Sequence, residues 1–216
     1  MKKTILFIAS IFMMHSVTHA QDGYTQQMQQ QVNQLDEANS VRDYQQLAAN
    51  FLRLAQAEKT QWLPYYYAAF CNAKVGWLKQ DDPDNIEPFA NKADEEIKQA
   101  QKLADTANHH ILSELYCVLS MVNRARVFIN PVTYGQQYGP DASRYMTLAE
   151  KANPGNPRAL FLDGWEKFST PKMWGGDKTK AKELLETAQQ KLGSDSSGIE
   201  PHWGKKEVEY LLNQLK

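Results

Sequence analysis

The stretch from Asn153 to Leu192, NPGNPRALFLDGWEKFSTPKMWGGDKTKAKELLETAQQKL, constrains the chain more than any other. Pro154 and Pro157 fix their backbone angles and open a helix carrying Ala159, Leu160 and Gly164. Proline is tolerated there because the first helical N–H groups have no intrahelical partner. A Gly175-Gly176-Asp177 loop follows, and a second helix then carries Ala181, Leu184, Leu185 and Ala188 on one face. Two short amphipathic helices joined this way cannot bury both apolar faces by themselves. They need like neighbours stacked on either side.

The rest of the chain supplies those neighbours. Apolar residues recur with helical period, and no segment alternates like a strand. Gln26 to Leu35 reads as a Gln-rich helix. Ser40 suits an N-cap for a helix burying Tyr44, Leu47, Phe51 and Ala55. Pro64 suits a helix start before Tyr66, Tyr67, Phe70 and Ala73, and Phe89, Ala93, Ile97 and Ala100 mark the next helix. Ile111 to Val127 is the longest apolar helix. Phe128 to Pro140 holds two Pro and two Gly and reads as a loop, after which Asp141 caps a helix to Ala152. Ser194 to Gly204 reads as a connector, and Lys205 to Leu215 as an amphipathic terminal helix. Helix pairs thus begin near Gln21, Gln61, Asn108 and Asn156. The expected architecture is all-α: one domain over residues 21–216, a helical-hairpin solenoid closed by a capping helix.

Asn153-Pro154, Gly164, Ala181, Leu185 and Ala188 resemble the tetratricopeptide repeat. In that family a small residue on the first helix faces a small residue on the second, a pair that Gly164 and Ala181 would form. The resemblance implies a right-handed solenoid, and the longer spacing here implies enlarged loops within each hairpin. Cys71 with Ala93, and Tyr116 with Tyr145, fall at the equivalent places. The combination of NPxNPR, TPKxxGGDK and PxWG also resembles small exported helical-repeat proteins of Bacteroidetes-type bacteria.

Lys2 and Lys3 precede the apolar run Ile5 to Met14, and Thr18-His19-Ala20 supplies small residues for cleavage. Residues 1–20 therefore read as a secretory signal, too short to span a bilayer. A periplasmic or secreted protein is expected, with no transmembrane segment after signal removal. Without Lys2 and Lys3, 24 basic side chains become 22 against 25 acidic, a net charge of −3. That balance gives no electrostatic basis for binding nucleic acid.

No motif of enzymatic chemistry is present. Gly175-Gly176-Asp177 lacks the P-loop lysine and reads as a turn followed by an Asp N-cap. His109, His110 and Glu114 fall short of a metal site and read as a capped helix start. Glu95-Glu96 and Glu183-Glu186 read as polar helix faces. Cys71 and Cys117 would lie mid-way along adjacent first helices. An oxidising compartment permits either a bridge between them or two buried thiols.

The expected function is a non-enzymatic interaction or scaffold module without cofactor or metal, taking a segment of another envelope protein. Its candidate surfaces are a concave face with Tyr65, Tyr66, Asn72 and Arg124, and a loop edge with Trp77, Tyr134, Tyr138 and Trp174. The loop edge also holds Phe128 and Met173, and these rings could instead fold back over helix ends. The alternative function is a carrier of a small or glycan-like ligand, held in a pocket between the aromatic loops and the helix ends.

Overall fold

The computed structural model describes residues 23–194 and 198–216. The signal read at residues 1–20 lies outside them. Among the described residues every regular element is helical. The helices are α1 (23–37), α2 (Val41–Ala57), α3 (Leu63–Leu78), α4 (Glu87–Leu103), α5 (His109–Ile129), α6 (Thr133–Ala152), α7 (Pro157–Ser169), α8 (Lys178–Ser194) and α9 (Lys205–Gln214). None is long and apolar enough to cross a membrane.

Local chemistry sets most of the starts. Ser40 and Asp43 form a reciprocal capping box at α2. The Asn108 side chain accepts from the His110 and Ile111 amides at 3.0 and 3.4 Å, so the paired histidines begin α5. Asn156 accepts from the Arg158 amide at 2.9 Å and opens α7. Asp177 accepts from Thr179 and Lys180 at 2.9 and 3.0 Å and opens α8 after the Gly-Gly turn. Gly176 has no room for a side chain, since a Cβ would lie 1.8 Å from the Thr170 carbonyl oxygen.

Successive hairpins pack on one another. α3 lies against α2, α4 and α5, α5 against α3, α4, α6 and α7, and α7 against α5, α6, α8 and α9. Small residues permit the approach. A Cβ on Gly76 would sit 2.9 Å from Ala125 Cβ, where α3 meets α5. A Cβ on Gly164 would sit 2.9 Å from Leu185 Cγ and 3.4 Å from the Ala181 carbonyl oxygen, where α7 meets α8. Gly164→Leu should therefore destabilise the fold by about 2–3 kcal/mol. Thermal unfolding should shift down by about 5–10 °C; an unchanged midpoint would mean that this contact has slack.

Two expectations are corrected, and of the two readings left open for the cysteines the buried thiols are the one found. Phe128 to Pro140 is not a loop: α5 runs on to Ile129, α6 starts at Thr133, and Pro140 lies inside α6. Pro140 is exposed there, so water can satisfy the carbonyl whose helical hydrogen bond it removes. Asp141 is thus mid-helix and pairs with Arg144 at 3.0 Å instead of capping. Cys71 and Cys117 are unbridged, fully buried thiols whose burial pushes both pKa values well up. Of the equivalent positions on paired helices, Tyr116 and Tyr145 do meet, stacked at 5.9 Å.

The C-terminal segment does more than cap the last hairpin. Tyr67 Oη donates to the Ile199 carbonyl at 2.9 Å. His202 meets Asp36 at 3.0 Å, and Lys206 Nζ donates to the Asp36 carbonyl. Trp203 is buried, stacked on Phe70 at 4.5 Å and edge-on to Phe161 at 6.3 Å. The segment therefore joins α7 and α8 back to α3 and the α1–α2 junction.

Candidate functional site

Where α9 crosses toward the end of α3, it leaves a groove of about 480 Å³. The groove size falls within the range of small-molecule sites. Trp77 and Leu78 come from α3, Phe161 and Trp165 from α7, Tyr44 from α2, and Tyr210 and Leu211 from α9. Lys74, Lys206 and Glu207 supply the charges.

The rings are held by one another and by the backbone beneath. Trp77 donates its indole N–H to the Met121 carbonyl at 2.9 Å. Its ring lies 4.7 Å from Trp165 and 5.6 Å, edge-on, from Phe128. Trp165 is further backed by the Arg124 guanidinium, 5.6 Å from its ring centre, which also pairs with Glu166 at 2.5 Å. Cation–π contact of this kind fixes a ring without covering both faces. Tyr210, on α9, also lines the groove and is 64% exposed. A groove lined by several aromatic rings, one of them exposed, suits the apolar face of a flat ligand.

Charge is placed to orient such a ligand. Lys74 Nζ meets Glu207 Oε1 at 2.5 Å and ties α3 to α9. Burial works against the Glu207 charge, but the Lys74 ammonium prevails and holds this carboxyl below its usual pKa. Lys206 is exposed at the rim; its ammonium donates once to the Asp36 carbonyl and has two further N–H donors for an anionic group on the ligand. The Tyr44 hydroxyl is kept neutral: burial, then the Glu207 charge, raise its pKa far above the usual phenol value. No His, Cys or Met is among the residues lining the groove.

Behind the groove a buried polar network joins four segments. Glu114 on α5 accepts from Tyr66 Oη at 2.9 Å, Asn156 Nδ2 at 2.7 Å and Arg158 Nε at 2.8 Å. Tyr66 Oη in turn accepts from Trp203 Nε1 at 2.8 Å. Burial first, then the Glu114 charge, push the Tyr66 pKa well up, so it remains a neutral donor.

The sequence-derived candidates divide accordingly. Tyr66 is not on an open face: it is fully buried, and its hydroxyl bonds to Trp203 of the C-terminal segment. Trp77 is not a loop aromatic but a buried helical residue at the groove floor. Arg124 is half-buried and backs Trp165. Tyr134 and Tyr138 meet edge-on at 5.5 Å on the first turns of α6, with Arg126 over the Tyr138 ring. Only Trp174 stands out from a loop as expected, 73% exposed beside Met173 on a 3-10 turn. Tyr65 and Asn72 line a different groove. Sequence reasoning passed over Trp165, Tyr210, Lys74 and Lys206. The one local signal was an exposed Tyr on the polar side of a terminal helix.

Neither a family model nor a curated protein matches the chain. A solved structure does: the HusA haemophore from Porphyromonas gingivalis is 32% identical to it. The match covers 89% of this chain and 92% of that one, with a TM-score of 0.77.

Proposed function

We propose, from the premise that this chain belongs to the family of the HusA haemophore, that it is an exported carrier of haem or a closely related flat tetrapyrrole. The observation that supports this most is the groove of Trp77, Trp165 and Tyr210, with Lys206 at its rim. A planar macrocycle gains from aromatic faces on either side, and its carboxylate side arms from a rim cation. This favours the carrier reading over a scaffold taking a peptide on a concave face, because the chain's own Trp203 and α9 cover Tyr66 and the centre of α3.

The iron is cargo here, not a resident cofactor. No His, Cys or Met lines the groove and Tyr44 is held neutral; with Tyr210 acting as a stacking ring, the rings and the lysine do the binding. The protein binds and releases without chemical change, and on this reading it is not an enzyme. A carrier needs a recipient. Met173 and Trp174, 82% and 73% exposed on the turn before α8, suit contact with another envelope protein.

Titration of the signal-cleaved protein with haemin and with metal-free protoporphyrin IX tests the reading, followed by porphyrin absorbance and tryptophan quenching. Both should saturate at one equivalent, with affinities within about tenfold, or about 1.4 kcal/mol, of each other. Trp165→Ala should weaken both by about tenfold, the upper range of one aromatic contact. Absence of saturable binding would refute the carrier reading. Binding of haemin alone would show that an iron ligand has been overlooked.

A further inference from the structure

A second groove, of about 590 Å³, lies over α3 between α2 and α4 and shares no lining residue with the aromatic one. Ala48 and Leu52 of α2, Tyr65 of α3 and Phe89 of α4 give it apolar surface, and Gln45, Lys92, Glu95 and Gln99 line it as well. Its polar centre is Glu96, only 7% exposed, although its sequence position reads as part of a polar helix face. A carboxylate has about four acceptor sites. Glu96 receives two bonds, at 2.8 and 3.1 Å, both from the single amide of Asn72.

We propose that this groove binds an organic cation, an alkyl- or arylalkyl-ammonium or guanidinium, with its charged head on Glu96 and its apolar stem between Leu52, Tyr65 and Phe89. A buried carboxylate is costly without a counter-charge. Asn72 offers a dipole only. Lys92 stands at the rim, 5.8 Å from the centre of the Phe89 ring, and forms no ion pair with Glu96 within 4 Å. The groove thus combines an acidic floor with an apolar sleeve, which selects an amphipathic cation over an anion or a neutral polar solute. A free amine and a lysine or arginine side chain of another protein share this chemistry.

The site should be linked to protons. Burial pushes the Glu96 carboxyl up to about 7, against the pull of the Asn72 bonds and Lys92. The other titratable groups facing it are Glu95 on α4 and Tyr65 and Cys71 on α3; α2 contributes only Gln45 and apolar side chains. Below pH 7 the floor is mostly neutral, above it mostly charged. Cation affinity should therefore rise about tenfold from pH 6 to pH 8.

The test uses the signal-cleaved protein with 4-phenylbutylamine, 4-phenylbutylguanidine and neutral 4-phenylbutanol, followed by amide chemical shifts. An acetylated peptide with one Arg between Leu pairs forms a fourth arm. Both cations should give saturable shifts around Asn72 and Glu96, at least tenfold tighter than the alcohol at pH 8. In Glu96→Gln the cations should lose that advantage and their pH dependence. Calorimetry of the unaltered protein at pH 6.5 in two buffers needs no variant and should register proton release on binding. Tighter binding of the peptide than of the small cations, still lost in Glu96→Gln, would support the site and assign its source to a protein side chain. Equal binding of amine and alcohol, no proton release, or no saturable shift by 20 mM on the order of weak-ligand affinities would overturn the proposal.

Discussion

Glu114→Ala should cost about 3–5 kcal/mol of stability, the range for removing one partner from a buried ion pair. Glu114 and Arg158 have side chains 8% exposed each, and they meet at 2.8 Å between α5 and α7. The same carboxylate accepts from Tyr66 and Asn156, so its loss affects three donors, one on α3 and two at the start of α7. Neutral hydrogen bonds contribute only about 1 kcal/mol each, which makes the ionic partner the dominant loss. Replacing both charges with apolar residues of like size, Glu114→Leu with Arg158→Met, should recover part of the loss, because it removes both desolvation penalties together. Chemical denaturation of the three proteins is the measurement. A single variant as stable as the parent would mean that water already reaches this network.

Trp203→Ala should cost a similar amount, about 3–5 kcal/mol for deleting a large buried ring. It should also affect binding, which Glu114→Ala need not do. Trp203 fixes the chain just before α9, and α9 supplies Lys206, Tyr210 and Leu211 to the aromatic groove. Trp203→Phe keeps the stack on Phe70 but loses the bond to Tyr66 Oη, and should cost about 1–2 kcal/mol. Ligand affinity should follow the same order: parent, then Phe, then Ala. Equal porphyrin affinity in all three, measured well below their unfolding temperatures, would show that α9 is not a wall of the site.

The sequence made legible what local chemistry decides. Ser40, Asn108, Asn156 and Asp177 are side-chain caps that act within three residues of themselves, and each starts a helix where its position implies. The approach of Gly164 to Ala181 was implied by the resemblance, and a Cβ on Gly164 would lie 3.4 Å from the Ala181 carbonyl oxygen. Pro201 and Gly204 isolate Trp203, one large ring in a polar connector, and the fold buries that ring. The site was not legible in this way. It depends on α9 returning across α3, which brings Tyr210 to Tyr44 and Trp77 with no pattern along the chain to announce it. Tyr65 and Tyr66 show how narrow the margin is. Neighbouring helical residues point about 100° apart, so one lines an open groove and the other lies at the centre of the core. Pro140 misled for the opposite reason: a breaker is only a tendency, and an exposed turn of α6 absorbs it.

The central claim is that a flat ligand lies between the rings of α3, α7 and α9. The five indole N–H groups, of Trp62, Trp77, Trp165, Trp174 and Trp203, report on it directly in a proton–nitrogen correlation spectrum. Titration with a diamagnetic gallium protoporphyrin should move the Trp165 signal most and Trp77 next, through ring currents from a macrocycle stacked at the groove. Trp62, outside the groove lining, and Trp174, on its exposed turn, should stay in place. Shifts confined to Trp174 or Trp62, with Trp165 and Trp77 unmoved, would place the ligand elsewhere and contradict the account.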